Sequence, residues 1–310
     1  MRFGVIGTNW ITEEFIRSGR EVDGFSLEAV YSRTEERARE FAAMQGIPYW
    51  FADLEEMVKS KRIDAVYIAS PNSLHASQAL VCMEHGMHVL CEKPLAPNFR
   101  AIQGNLHKLG PIRRYVASNG QYSSRYDAYK AGQMPNAFNP AFSNGALMDI
   151  GIYCIYPLVV LLGKPQRIQA EAVMLDSGVD GQGSILMRYP DCEAAVMYSK
   201  ITTSFLPAEI QGEDATMVID KINRPQKVEI RYRDGRVEDI TVPQTSRLMH
   251  YEIREFMELI RTGKRESSTN SHQNSLVAMQ IMDEARRQIG LRFPADEHVD
   301  WGTEEEEAGT

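Results

Sequence analysis

The chain has 310 residues, 43% of them hydrophobic and 25% charged, which fits two ordinary globular domains with a core that needs no staples. A formal net charge of −8 excludes the broad positive footprint used to hold nucleic acid. The four cysteines, Cys82, Cys91, Cys154 and Cys192, have no C-x-x-C spacing. Neither a zinc site nor a thioredoxin motif is indicated, and reduced, buried thiols are expected.

Arg2 to Ile6 reads as a strand, so no signal peptide is expected before the fold. Trp10 to Arg17 follows as a helix with Ile11, Phe15 and Ile16 inward, and Leu27 to Tyr31 is a second strand. Thr34 caps a helix whose first turn carries Glu35 and Glu36, favourable at the positive end of the dipole. Tyr49 to Phe51 is a short third strand, and Asp53 with Glu56 opens the next helix as a capping box. Ala65 to Ala69 is almost wholly apolar, as in a parallel strand covered on both faces. Ser73 to His85 is helical, and His88 to Cys91 is a fifth strand. Strand and helix alternating at this spacing mean βαβ units and a parallel sheet.

The pattern changes after about residue 112. Arg167–Met174, Ser184–Tyr189 and Glu193–Tyr198 read as amphipathic strands. Lys227 to Arg233 alternates strictly, and Asp234-Gly235 then signals a hairpin into a strand ending near Val242. This half is read as an α+β domain on an open, mostly antiparallel sheet. Two helices follow, Met249 to Arg261 and His272 to Ile289. The longest apolar run, Ile155 to Leu162, falls short of the roughly 20 residues that span a bilayer, and a cytoplasmic protein is expected. The domains are placed at 1–111 and 112–296, with 297–310, which holds four consecutive glutamates, as a disordered acidic tail.

The chemistry gathers at strand ends, where open α/β sheets bind ligands. The first strand runs into Gly7-Thr8-Asn9-Trp10-Ile11-Thr12 and a helix, the place of a dinucleotide fingerprint. Only its first glycine is present. Asn9 and Thr12 hold the other two positions, and Asn tolerates the left-handed backbone that such a turn can use. Backbone N–H groups at this helix start suit a pyrophosphate, although a plain tight turn accounts for the motif equally well. The second strand ends in Ser32-Arg33 instead of the acidic residue that holds the ribose of NAD. A hydroxyl and a guanidinium suit a 2′-phosphate, which favours NADP(H) over NAD(H). The alternative is a solvated helix cap.

Ser70-Pro71-Asn72-Ser73-Leu74-His75 follows the fourth strand, and Glu92-Lys93-Pro94 follows the fifth. Asn72 alone would be a helix cap and His75 a satisfied helix histidine, but together these segments outweigh that reading. Farther on, Asp149 and Tyr153 stand four apart at the start of a helix, hence one turn apart on one face. Alone they would be an acidic first turn and a core tyrosine. The seven histidines are scattered, and no metal site is indicated.

In this order, Gly7, Ser32-Arg33, Ser-Pro-Asn-x-x-His, Glu-Lys-Pro and Asp-x-Gly-x-Tyr resemble the Gfo/Idh/MocA family of oxidoreductases over nearly the whole chain to about residue 294. The resemblance implies a Rossmann domain followed by an open-faced α+β domain. It implies cofactor contacts from Gly7, Thr8, Asn9, Trp10, Ile11, Ser32, Arg33, Ser70, Pro71, Asn72, His75, Glu92 and Lys93. It places Lys93 at the substrate hydroxyl and the nicotinamide, with a cis Lys93–Pro94 bond. Asp149 falls on the family's acidic position, and Tyr153 where many members have histidine, similar to the glucose–fructose oxidoreductase and dihydrodiol dehydrogenase branches. Tyr153 is then the general acid/base. A phenol titrates near about 10 and needs a cation nearby, for which Lys93 is the candidate.

The chain departs from the family after Glu-Lys-Pro, where a helix, a sixth parallel strand and another helix are usual. Here Pro97 to Gly110 is the only helix-like stretch before Pro111 to Tyr115. The preferred reading is that a helix and a strand are absent, leaving five parallel strands. The alternative makes Arg114 to Ala117 a sixth strand.

The substrate pocket is expected between the domains, entered by the loop Ser124 to Pro140 with Arg125, Tyr126, Asn136 and Asn139. Arg125 and Asn136 are the candidate substrate residues, although a generic surface loop accounts for either one. The function expected is hydride exchange between NADP(H) and a carbinol or carbonyl carbon of a sugar, cyclic polyol or related small molecule. The alternatives are a catalytically impaired NADP(H)-binding or regulatory protein and a ligand-free structural oligomer. Family resemblance also implies a homodimer or homotetramer through the second sheet, with no nucleic acid or membrane partner.

Overall fold

The computed structural model describes residues 1–91, 98–244, 247 and 249–296. Glu92, Lys93, the Lys93–Pro94 bond and the acidic tail lie outside them. The first sheet holds β1 (Arg2–Ile6), β2 (Ser26–Tyr31), β3 (Tyr49–Phe51), β4 (Ala65–Ile68) and β5 (His88–Cys91). Its order is β3-β2-β1-β4-β5, and each described pairing is parallel. The helices between them are α1 (Trp10–Gly19), α2 (Glu35–Gln45), α3 (Leu54–Lys59) and α4 (Asn72–Glu84). Thr34 and Asp53 accept the N–H groups of Arg37 and Glu56 and cap α2 and α3 as their sequences predict.

Burial on both faces explains the apolar β4. One face of the sheet packs Phe3, Phe15, Val30, Phe41 and Tyr67, with Phe15 stacked on Tyr67 at 3.9 Å. The other packs Ile6, Ala29, Met57, Ile63, Val66, Ile68 and Cys82. Each fully buried Val, Ile, Phe or Met among them contributes roughly 1.5–3 kcal/mol. By contrast β5 is an edge strand, with His88 and Cys91 exposed and Val89 and Leu90 half-buried. Cys91 is therefore not the buried thiol expected, because no described strand lies beyond β5. The other three cysteines are buried and free.

After α5 (Asn98–Asn105) and a short 3₁₀ turn, the chain enters β6 (Ile112–Gly120). This strand pairs with the second sheet and not the first, so Arg114 to Ala117 is not a sixth strand of the parallel sheet. The second sheet adds β7 (Arg167–Met174), β8 (Asp180–Arg188), β9 (Glu193–Ser199), β10 (Ala208–Gly212), β11 (Ala215–Ile219), β12 (Val228–Tyr232) and β13 (Val237–Asp239). Its order is β13-β12-β11-β10-β6-β9-β8-β7. The pairings are mostly antiparallel, with β6 and β9 parallel. The sequence reading had missed β10 and β11.

A helical segment covers this sheet. It begins with a π-helical turn, Leu147–Gly151, and continues as α7 (Ile152–Leu162). Tyr115 of β6 donates its hydroxyl to Cys154 O at 3.0 Å and fixes α7 on the sheet. Pro140–Leu162 is 23 residues long and, by length and composition, apolar enough to cross a membrane, with 56% of its most apolar stretch buried within the protein. This segment is longer than the apolar run read from the sequence, and packing on β6 and β9 explains its apolarity. Short helix α6 (Tyr126–Lys130) lies between β6 and this segment, and α8 (His250–Arg261) and α9 (His272–Ile289) follow the second sheet. The chain forms two compact units: Met1–Lys108 with Arg224–Ser275, and Leu109–Asn223 with the chain from Leu276 onward. In the first unit Ile253 and Met249 join the core beside Phe15 and Ile16.

Candidate active site

In the first unit, the ends of β1, β2 and β4 lie side by side because those strands are neighbours, and β1/β4 is where the strand order reverses. Gly7 has φ +107°, and a Cβ there would stand 2.9 Å from Ala69 O. Only glycine fits this turn without strain. Asn9, in contrast, has φ −98° and ψ 178°. This is extended backbone, not the left-handed conformation that Asn tolerates, and Asn9 is the N-cap of α1. Its Oδ1 accepts the N–H groups of Ile11 and Thr12, each at 3.1 Å, and its Nδ2 donates to Ala69 O at 2.7 Å. One side chain thus caps the helix and ties the β1 loop to the β4 loop, which explains how the turn stands without the second fingerprint glycine. Trp10 is 60% exposed beside it, and Ile11 is half-buried.

Ser32 follows β2 with its N–H donated to Phe51 O of β3, and Arg33 is exposed. Sequence reasoning missed Arg37. From the first turn of α2 its Nε donates to Thr8 Oγ1 at 3.0 Å and its Nη2 to Thr8 O at 2.8 Å. A cation in a helix's first turn opposes the dipole, and that was the signal available. At the end of β4, Ser70 Oγ donates to the buried Gln78, and His75 Nε2 lies 2.7 Å from Ser70 O. The position before α4 belongs to Pro71, so Asn72 is the first residue of that helix and not its cap.

In the second unit, Asp149 lies in the π-helical turn and Tyr153 in the first turn of α7. Gly151 lets this segment sit on β9, since a Cβ there would come within 3.2 Å of the Tyr198 ring. Asp149 Oδ2 is paired at 2.9 Å with Lys200 Nζ, a lysine whose side chain is only 3% exposed. Lys200 also donates to Ala137 O at 3.0 Å. Sequence reasoning missed it, although period two along β9 places it on the face of the buried Ala194, Val196 and Tyr198. Asp180 is fully buried at the start of β8 and accepts the N–H of Leu147 at 2.7 Å. Burial pushes its carboxyl up to about 6, against the pull of the Leu147, Asp180 and Ala146 N–H groups and of Lys200. Arg125 is exposed at the start of α6, and Asn136 is exposed in a 3₁₀ turn where its O accepts Asn144 Nδ2 at 2.7 Å. Among the described residues no group of His, Cys, Asp and Glu could hold a metal.

Comparison with known proteins matches this architecture. The family described as "Oxidoreductase family, NAD-binding Rossmann fold" covers residues 1–109, and the GFO/IDH/MocA C-terminal domain covers 106–218. The chain belongs to the Gfo/Idh/MocA oxidoreductase family. It is 50% identical to scyllo-inositol 2-dehydrogenase (NADP(+)) IolU of Bacillus subtilis over 96% of this chain and 99% of that protein. It is 29% identical to trans-1,2-dihydrobenzene-1,2-diol dehydrogenase of Danio rerio over 96% and 99%. The aldose-aldose oxidoreductase of Caulobacter crescentus, solved with glycerol, shares the fold with a TM-score of 0.79 at 20% identity over 93% and 97%. The alignment with IolU runs over 326 positions, more than the 310 residues here. Part of that relative therefore has no counterpart in this chain.

Proposed function

We propose that this family member is an NADP(H)-dependent oxidoreductase that exchanges a hydride between nicotinamide and a carbinol carbon of a cyclic polyol or sugar. The observation that carries the cofactor reading is the pair of guanidinium groups, Arg33 and Arg37, just past the end of β2. No carboxylate stands at Ser32-Arg33, Arg33 makes no ion pair or hydrogen bond among the described residues, and Arg37 reaches into the β1 loop. Planar guanidinium forks suit a 2′-phosphate, and Gly7 brings the β1 turn close against Ala69 at the end of β4. These residues fit the dinucleotide. When bound, it supplies the hydride. The polyol reading is supported by the half-identity with an inositol dehydrogenase along nearly its full length.

The chain's own part is to bind, orient and move a proton. Tyr153 is the acid/base that exchanges the hydroxyl proton of the substrate, assisted by Lys93, and Asp149 lies one helical turn before it. Arg125 and Asn136 border the substrate, where their donors suit hydroxyl groups. The reading includes self-association through the second sheet, supported by Val173, Met174 and Leu186 exposed on β7 and β8.

A thermal-shift titration with NADPH and NADH side by side tests the cofactor. Saturating NADPH is expected to raise the melting temperature well beyond NADH, since a ligand at about 100 times its Kd adds roughly 2.7 kcal/mol. NADP⁺ reduction by a panel of inositols and aldoses tests the substrate class. No shift with either nucleotide overturns the proposal. NADPH binding without turnover of any polyol favours the regulatory alternative.

A further inference from the structure

Lys200 directly follows β9, and its N–H donates to Gly181 O at 2.9 Å. That contact sets it beside Asp180 at the start of β8. Its side chain runs through the interior and ends in a charge. The ammonium meets Asp149 Oδ2 at 2.9 Å and Ala137 O at 3.0 Å, and lies 5.2 Å from the centre of the Phe138 ring. Burying an ammonium is costly even when paired, and an apolar side chain of similar volume commonly serves stability as well or better. Packing alone would therefore be satisfied by methionine. Asp149 is 44% exposed, so water could solvate its carboxylate without any lysine. The buried cation acts instead on the half-open end of that carboxylate, and on the turn that carries Asn136.

We propose that Lys200 is a positioning residue: its ammonium favours the ionised form of Asp149, fixes that carboxylate in place, and ties it to the Asn136–Phe138 turn. The acidic residue and one part of the substrate loop are thereby held as one piece. This inference rests on the oxidoreductase reading above for its role in turnover, but the electrostatic clamp itself does not. Other ionisable groups are Asp180 from β8, Tyr198 from β9, which interacts with Asp180, and Tyr153 in the first turn of α7. Asp180 is attracted to the same ammonium. The trio Asp149, Lys200 and Asp180 thus carries one net negative charge with both carboxylates ionised, and none once Asp180 takes a proton.

The test is a carboxyl-carbon NMR titration of Asp149 in the full-length protein, wild type against Lys200→Met and Lys200→Arg, with pH profiles of kcat/KM on the same samples. Without the cation Asp149 is expected to titrate at least ~1 pH unit higher, and the acid limb of kcat/KM to move the same way. Lys200→Arg should restore most of both. NADPH binding should be unchanged, because the strand-end loops belong to the other unit. An Asp149 that titrates in Lys200→Met as in wild type overturns the inference, whatever the activity. So does a shifted Asp149 with an unmoved pH profile. If Lys200→Met does not fold, Lys200→Arg against Lys200→Gln carries the same titration. A wild type that binds NADPH but oxidises no polyol removes the proposed function, and the NMR titration still decides the clamp.

Discussion

The strand-end loops of the first unit and the helix start of the second solve opposite problems. Around Gly7, Asn9 and Ser70 the polar groups are satisfied by short-range partners or by the next strand, and much of the surface is open. Around Asp149 the charged groups come from three separate stretches, and two of them, Lys200 and Asp180, are buried. The first arrangement is a shape built from backbone and caps, which suits a ligand that brings its own charge. The second is a prearranged field, which suits proton transfer, where fixed charges are worth more than mobile ones.

That contrast can be broken by substitution. The largest effect is expected in the second unit: Tyr153→Phe should lower kcat about 10²–10⁴-fold while the NADPH thermal shift is kept. Equal loss of both would mean that Tyr153 acts on folding and not on the reaction.

Asp180 tests whether the second region is electrostatically costly. Its folded value of about 6 lies above the unfolded value of about 3.9, so between them the folded state holds the extra proton. Its contribution to stability is then full below about pH 4, lost as pH rises to about 6, and flat above, on the order of 3 kcal/mol. Asp180→Asn should flatten that window in urea midpoints measured across it. A variant that keeps the wild-type slope would assign the slope to other groups.

Smaller effects are expected at the strand ends. Arg33→Ala should weaken NADPH about 10–100-fold, the worth of one charge-assisted contact, and leave NADH unchanged in calorimetry. Loss of both nucleotides equally would remove the 2′-phosphate role. Asn9→Ala removes the cap of α1 and should cost about 1 kcal/mol, read as a lower melting temperature. A neutral result would mean that water takes over its donors.

What was legible follows the same division. The alternation of periods through Cys91 marks the five parallel strands, because a strand covered on both faces needs a continuous apolar run, as Ala65–Ile68 shows. Thr34 and Asp53 are readable because a cap acts within three residues. The same local logic carried the Gly7 turn, but not the bond from Asn9 to Ala69 O just past another strand. Short β10 and β11 were missed because their pairing with β6 and each other, not their composition, makes them strands. Cys91 was expected buried from the apolar residues around it, but it stands at the end of the edge strand β5 and is exposed.

The sequence by itself determined most of the order of elements, the family, and the loops at the ends of β1, β2 and β4. All of these depend on spacing along one element or across one turn. Only the tertiary structure decided that Arg37 reaches Thr8, that Met249 and Ile253 complete the first core, and that Lys200 and Asp180 surround the helix carrying Asp149. Those partners meet through sheet register and helix packing, and a buried charge acquires its meaning only from the groups that the fold sets against it.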